Sequence, residues 1–274
     1  MAGVISSYGF GCETMQKFAL RMCVGSAVLA AFGAFLRWLQ NQVSFEKDTG
    51  LAVRGSIWPY VVALWLAVAA VYFLVVISRM ERREHVRLPR TFAEAFRPDT
   101  VFIPALSLLF GLVMMVGGAI LLLRTPLSEP QRKLLVILGG AAVLTGLSYP
   151  IYLLRAGEEE PPGVLRAVLA AFPIALFAFW LIVSYKMNIV NPTISAYALE
   201  IVTISACVIG FFRLAGFAFE SPKGARAVFW GSYGAFLCLM SMADSRYLGA
   251  RLMLIAAAGM LLLQVWQICI HAEK

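Results

Sequence analysis

The chain has 274 residues, of which 61% are hydrophobic and only 14% charged, with a formal net charge of +8. Soluble domains are roughly 45–50% apolar and about 25% charged, so an ordinary soluble enzyme is excluded, and the length suits about eight spans of ~20 residues with their connections. The basic residues lie between apolar runs, which points to membrane topology and away from nucleic acid.

In chain order, the first apolar run, Met22 to Leu36, is short by itself. Glu13, Lys17 and Arg21 at i, i+4 spacing mark a helix already under way before it. Lys17 and Arg21 can snorkel to the headgroups and lengthen the span, so a retained span near 16–38, and not a cleaved leader, is expected. Gly55 to Ser78 is free of charge and predicts a second span near 57–78.

The connection that follows, RMERREHVRLPRTFAEAFRPD, carries Arg79, Arg82, Arg83, Arg87, Arg90 and Arg97. Basic loops are held in the cytoplasm. Alternation over eight spans then places both termini on that side. Thr91-Phe92-Ala93-Glu94 has the spacing of a capping box, and Phe92 and Phe96 recur at i, i+4. A short interfacial helix is expected within loop 79–100, its rings in lipid and Arg90, Glu94 and Arg97 at the headgroups. The six arginines with Phe92 and Phe96 are the candidates for docking a protein partner or anionic lipid.

Charge-free runs predict spans near 101–124, 130–154 and 164–186. Ser128-Glu129-Pro130-Gln131 reads as a capping box opening the fourth span, and Pro161-Pro162-Gly163 as the break before the fifth. Gly117-Gly118 and Gly139-Gly140-Ala141-Ala142 fall in consecutive helices; Ser26, Ala30 and Ala34, and beside them Ala27 and Ala31, repeat at four-residue spacing. Such small faces predict close approach of helix backbones or a partner-binding face. Pro150 and Pro173 lie inside spans, and Thr145, Ser148, Tyr149 and Tyr152 around Pro150 predict a polar pocket.

The sixth span, 192–219, opens at Asn191-Pro192 and contains Glu200 and Arg213. At 1.5 Å per residue each lies about 10 Å from the span midpoint, and the two are about 20 Å apart along the axis, so they cannot pair. Arg213 can snorkel; Glu200 must be neutral or paired, with Lys186 at the end of the preceding span as the expected cation. Ionisable groups within membranes mark functional sites by default, so Glu200, Arg213, Lys186, Tyr149 and Tyr152 are the candidates for a substrate or ion pathway. Spans near 226–243 and 248–270 complete the set, with Asp244 and Arg246 expected at the interface in the hairpin between them.

Five cysteines without paired spacing and two distant histidines suggest neither a disulfide framework nor a metal site. Asp48-Thr49-Gly50 is a single DTG where aspartic-protease chemistry needs two facing carboxylates. Gly231-Ser232-Tyr233-Gly234 is not a nucleophile elbow, and no nucleotide or cofactor signature occurs. No catalytic residue, metal or cofactor is assigned.

The sequence therefore predicts an all-α polytopic integral membrane bundle of about eight transmembrane helices, one domain over 1–274. The expected location is the cytoplasmic membrane of a prokaryote, with both termini cytoplasmic and the lipid bilayer as its surroundings. The first functional reading is a transporter, or the membrane subunit of a transport system, for a small or lipid-like solute. It expects a cavity at Glu200 with Tyr149, Tyr152 or Arg213 nearby. The alternative is a non-catalytic scaffold or accessory subunit that holds a membrane or cytoplasmic protein through the arginine-rich loop or a small-residue face. Oligomeric state is not legible.

Overall fold

The computed structural model describes residues 2–46, 51–83, 86–97, 100–124, 129–155, 163–189, 193–244 and 246–272; the side chains of residues 2–14, 83, 124, 129 and 130 lie outside the description. Long apolar runs give long helices because backbone groups in lipid must be satisfied within the segment. The helices are α1 (Ala2–Val43), α2 (Trp58–Arg83), α3 (Phe92–Phe96), α4 (Phe102–Arg124), α5 (Glu129–Leu154), α6 (Val164–Asn188), α7 (Ile194–Ala215), α8 (Gly224–Met240) and α9 (Leu248–Ile270). No strand occurs among the described residues beyond one isolated bridge, Phe45 to Ala52, in the α1–α2 loop. The protein is an all-α membrane bundle.

Seven helices, all but α3 and α8, are long and apolar enough to cross a membrane. α8 has 17 residues, about 26 Å at 1.5 Å per residue against a ~30 Å hydrocarbon core. A single 3-10 turn, Ser241–Ala243, extends it. Contacts at its two ends show that it runs the full height of the bundle. Its first residue, Gly224, packs on Leu88 of the arginine-rich connection. Beyond its last turn, Asp244 meets Arg37 near the end of α1.

The same contacts orient the other helices. Trp65 donates to the Leu29 carbonyl and Tyr72 to that of Arg21, so α2 runs antiparallel to α1. Gly118 faces Gly139, and Gly111 faces Gly146, so α5 returns alongside α4. Gly117 faces Gly249, which sets the end of α4 beside the start of α9. The C-terminal end of α9 lies by α3, where Gln267 Nε2 donates to the Phe96 carbonyl at 3.4 Å. One end of the bundle, the basic end, thus gathers the ends of α2, α5, α7 and α9, the starts of α6 and α8, and α3. The opposite end gathers the ends of α1 and α8 and the starts of α7 and α9.

Glycine seams hold α4. A Cβ on Gly118 would lie 2.6 Å from the Gly139 oxygen, and one on Gly139 would lie 2.7 Å from the Gly118 oxygen. Gly117 and Gly249 face each other in the same way at 2.8 and 2.6 Å. Only a hydrogen side chain permits this approach, and dispersion between backbones then replaces the hydrophobic drive that lipid removes. On α1, Ser26, Ala30 and Gly33 face inward, with Gly33 against Met240 and Trp65. Ala27 and Ala31 face outward, so only the first of the two alanine rows is a packing face.

α7 ends at Ala215, a turn before the expected 219. The chain reverses through 216–220, where Ser221 N–H donates to the Gly216 carbonyl at 2.9 Å and Glu220 takes a left-handed φ of 53°. The segments Asp48-Thr49-Gly50, Pro161-Pro162 and Asn191-Pro192 and the side chains of Ser128 to Pro130 lie outside the described residues.

Candidate functional site

Among the described residues, a buried polar constellation lies at the end opposite the arginine-rich loop. Arg37 follows Ser26, Ala30 and Gly33 on the inward row of α1, so its guanidinium is carried into the bundle; its side chain is 3% exposed. Its Nε donates to Asp244 Oδ1 at 2.7 Å and Nη1 to Gln40 Oε1 at 2.8 Å. Nη1 and Nη2 also donate to the Ser195 and Ala196 carbonyls, at 3.2 and 2.8 Å. The fork thus joins the end of α1 to the start of α7 and to the α8–α9 connection. It fits because α8 is short: the space beyond its last turn is filled by this cluster.

Asp244 is the hub. Asn41 Nδ2 donates to its Oδ1 at 3.3 Å and Arg246 Nη2 to its Oδ2 at 3.2 Å, while Arg251 Nη2 donates to its backbone carbonyl at 3.2 Å. Arg246 Nη1 lies 3.4 Å from Glu200 Oε2. Two carboxylates therefore face Arg37 and Arg246. Charge-assisted contacts of this sort are stronger than neutral ones, and a buried ion pair requires additional hydrogen bonds to offset desolvation.

Glu200, the leading candidate from the sequence, thus belongs to an interhelical tie. Its cation is Arg246 and not Lys186, which is exposed on α6. Arg213 is at the other end of α7, its guanidinium carbon 5.8 Å from the Phe212 ring centroid and its Nε without a hydrogen-bond partner. Asp244 and Arg246, expected from the sequence at the interface, are instead buried within the cluster, and Arg37, its centre, carries no signal of a site by itself. The signal was present in the i, i+4, i+7, i+11 row from Ser26 to Arg37, which places a charge on a packing face.

A second constellation lies toward the basic end. Tyr149 and Tyr152 of α5 line a small cavity with Leu169, Pro173, Phe211 and Gln264, of about 10 Å³. That is room for about one water molecule. Tyr149 Oη donates to the Met260 carbonyl at 2.9 Å, whereas Tyr152 Oη and Gln264 Oε1 are buried without a hydrogen-bond partner. Thr145 and Ser148, expected in the same pocket, instead return their hydroxyls to the Ala141 and Thr145 carbonyls.

Next to this cavity, α3 carries the capping box expected of Thr91 and Glu94: Thr91 accepts from the Glu94 N–H, and the Glu94 carboxylate accepts from the backbone N–H groups of Thr91 and Arg90. These hydrogen bonds, that from Arg90 foremost, hold the Glu94 carboxyl below the ordinary carboxylate value. Phe92 and Phe96 do not enter lipid. They are 5% and 0% exposed and pack on Tyr152 at centroid distances of 5.0 and 6.2 Å, with Phe217 at 5.5 Å from Phe96 and Arg166 over Phe92 at 5.3 Å. Aromatic rings gain more from edge and tilted ring contacts than from lipid alone, and α3 closes the basic end as a plug.

At this end Arg79 and Arg82 on the last turns of α2, and Arg87, Arg90 and Arg97 flanking α3, are exposed; the side chain of Arg83 lies outside the described residues. The four described cysteines are free thiols, and no group of three His, Cys, Asp or Glu is placed to hold a metal among the described residues. Comparison with protein-family models, with curated proteins and with solved structures finds no match.

Proposed function

We propose that the chain is a non-catalytic membrane scaffold or accessory subunit that presents its basic end to a membrane or cytoplasmic protein. What supports this is the division of charge. Four ionisable groups inside the bundle, Arg37, Asp244, Arg246 and Glu200, are joined in ion pairs at one end. Arg79 and Arg82 at the end of α2 and Arg87, Arg90 and Arg97 flanking α3 are exposed at the other end, where the buried side chains are mainly aromatic. An intramembrane charge with a local partner has an explanation that does not require a pathway. Under this reading the basic end is cytoplasmic, in keeping with retention of arginine-rich loops on that side.

Transport is the second reading, favoured by one observation. Tyr152 Oη and Gln264 Oε1 are unpartnered beside a cavity walled by α5, α6, α7 and α9, and α5 and α6 carry Pro150 and Pro173. A cavity of this size is an occluded site or an ordered-water site, not an open path.

A paired experiment separates the two. The scaffold reading expects a stoichiometric partner to copurify with the chain from its own membrane and to be lost when Arg79, Arg82, Arg87 and Arg97 are changed to Gln, while Glu200→Gln leaves both partner and membrane flux unchanged. Loss of solute uptake in Glu200→Gln with the arginine variant unaffected overturns it in favour of transport.

A further inference from the structure

The start of α8 is pressed onto the α2–α3 connection. A Cβ on Gly224 would lie 2.8 Å from Leu88 Cβ, so the two segments meet at van der Waals contact and fix the walls of a groove beside them. The groove has a volume of about 410 Å³ and is lined by Arg90, Lys223 and Arg226, with Glu81, Leu88 and Pro222 among its other walls. Three cations thus face one carboxylate. Among the described residues, Glu94 of the same connection has its carboxylate directed to the backbone N–H groups of Arg90 and Thr91, and the exposed Glu220 lies two residues before Pro222 without lining the groove.

Glu81 belongs to the last turns of α2, so the groove lies at the level where that span leaves the hydrocarbon. Apolar walls from Leu88 and Pro222 sit beside the cations. A soluble anion needs only the cations; a phospholipid needs both, at this depth. Basic recesses beside the ends of transmembrane helices are suited to anionic headgroups.

We propose that this groove holds the phosphate of an anionic phospholipid, with Lys223, Arg226 and Arg90 on the phosphate and Leu88 and Pro222 against the glycerol and the first carbons of the chains. The site depends on the chain lying in a membrane and not on a protein partner, so it stands or falls separately from the scaffold reading.

The test uses the full chain in neutral detergent, titrated with phosphatidylglycerol, with phosphatidylcholine and with inorganic phosphate, and bound species resolved by native mass spectrometry. The wild-type chain should bind phosphatidylglycerol in preference to phosphatidylcholine. Each cation near an anionic headgroup counts for roughly a fivefold change in binding, so Lys223→Gln with Arg226→Gln should weaken phosphatidylglycerol about thirtyfold. Arg79→Gln with Arg82→Gln removes the same charge from the same end but outside the groove and should leave the preference close to wild type. Arg90→Gln, on the opposite wall, should weaken it in the same sense and serves as the measure if the α8 variant does not fold. Equal weakening by the Arg79/Arg82 pair means a diffuse field and overturns the site. Inorganic phosphate bound as tightly as the lipid assigns the groove to a free anion and overturns the headgroup.

Discussion

The two ends of the bundle handle charge in opposite ways. At the end holding Asp244 a cluster of ionised groups is buried, with Arg37 3% and Asp244 11% exposed in the side chain, while Arg54, Arg132, Lys133 and Lys186 stay at the surface. At the basic end most of the arginines are exposed, and what is buried there is mainly aromatic, with the buried Arg166 laid over Phe92. A count of basic residues by loop ranks the second end as the important one. The energetics of the fold rank the first, because a charge taken out of water must be matched where it lies.

The sharpest way to break this comparison is Asp244→Ala. It strands Arg37 in the interior and should cost about 3–5 kcal/mol, read as a lowered midpoint of unfolding in detergent. Adding Arg37→Met should recover part of the loss. By contrast, neutralising exposed Arg79 or Arg87 should change stability by no more than about 0.5 kcal/mol. If the two ends respond alike, the burial of the Arg37–Asp244 pair is not what holds α1 to α7 and α9.

Next in size is the α4 seam. Gly118→Ala places a carbon 2.6 Å from a backbone oxygen that cannot swing aside, and overpacking of this kind costs about 1–3 kcal/mol. Gly140→Ala is the control one residue from its partner, since nothing lies within 4 Å of its added carbon. Smaller again is the pair of tyrosines. Tyr149→Phe removes the hydrogen bond to Met260 and should cost about 1 kcal/mol, whereas Tyr152→Phe removes a hydroxyl without a partner and should be neutral or stabilising. A cost for Tyr152→Phe equal to that of Tyr149→Phe would show that a water occupies the cavity and bonds that hydroxyl.

The membrane bundle is legible in the sequence because each span is a continuous apolar run whose length is set by the bilayer. The glycine seams are legible for a related reason: with no hydrophobic drive between helices, small residues are the visible trace of packing. The ion cluster is less so. Glu200 stands out because it interrupts an apolar run, but Arg37 and Arg246 sit at span ends, where a basic residue looks like a headgroup anchor. Only the inward row of α1 and the shortness of α8 separate a buried arginine from a snorkelling one, and the second is a property of packing. Proximity in sequence favours Lys186 as the partner of Glu200, but the α8–α9 connection returns to the same end and brings Arg246 instead. The burial of Phe92 and Phe96 is not legible because an i, i+4 aromatic pair reads alike whether its apolar neighbour is lipid or protein.

The smallest expected effect concerns the plug at the basic end. Thr91→Ala removes the side-chain cap of α3 and should cost about 1 kcal/mol of local order, seen as faster amide exchange over 92–97 with little change in the global midpoint. Glu94 adds a pH dependence. Its folded carboxyl titrates below the ordinary glutamate value because backbone N–H groups, that of Arg90 first, bond the charged form. Its contribution is therefore complete above that unfolded value and is lost as pH falls through the lower folded one. Exchange protection of α3, corrected for the intrinsic rate at each pH, should fall over that acidic window in the wild-type chain and become flat in Glu94→Gln. Protection that falls equally in both would mean that α3 is held by Phe92 and Phe96 against Tyr152 and Phe217 alone, and that the basic end, like the opposite one, is set by what is buried within it.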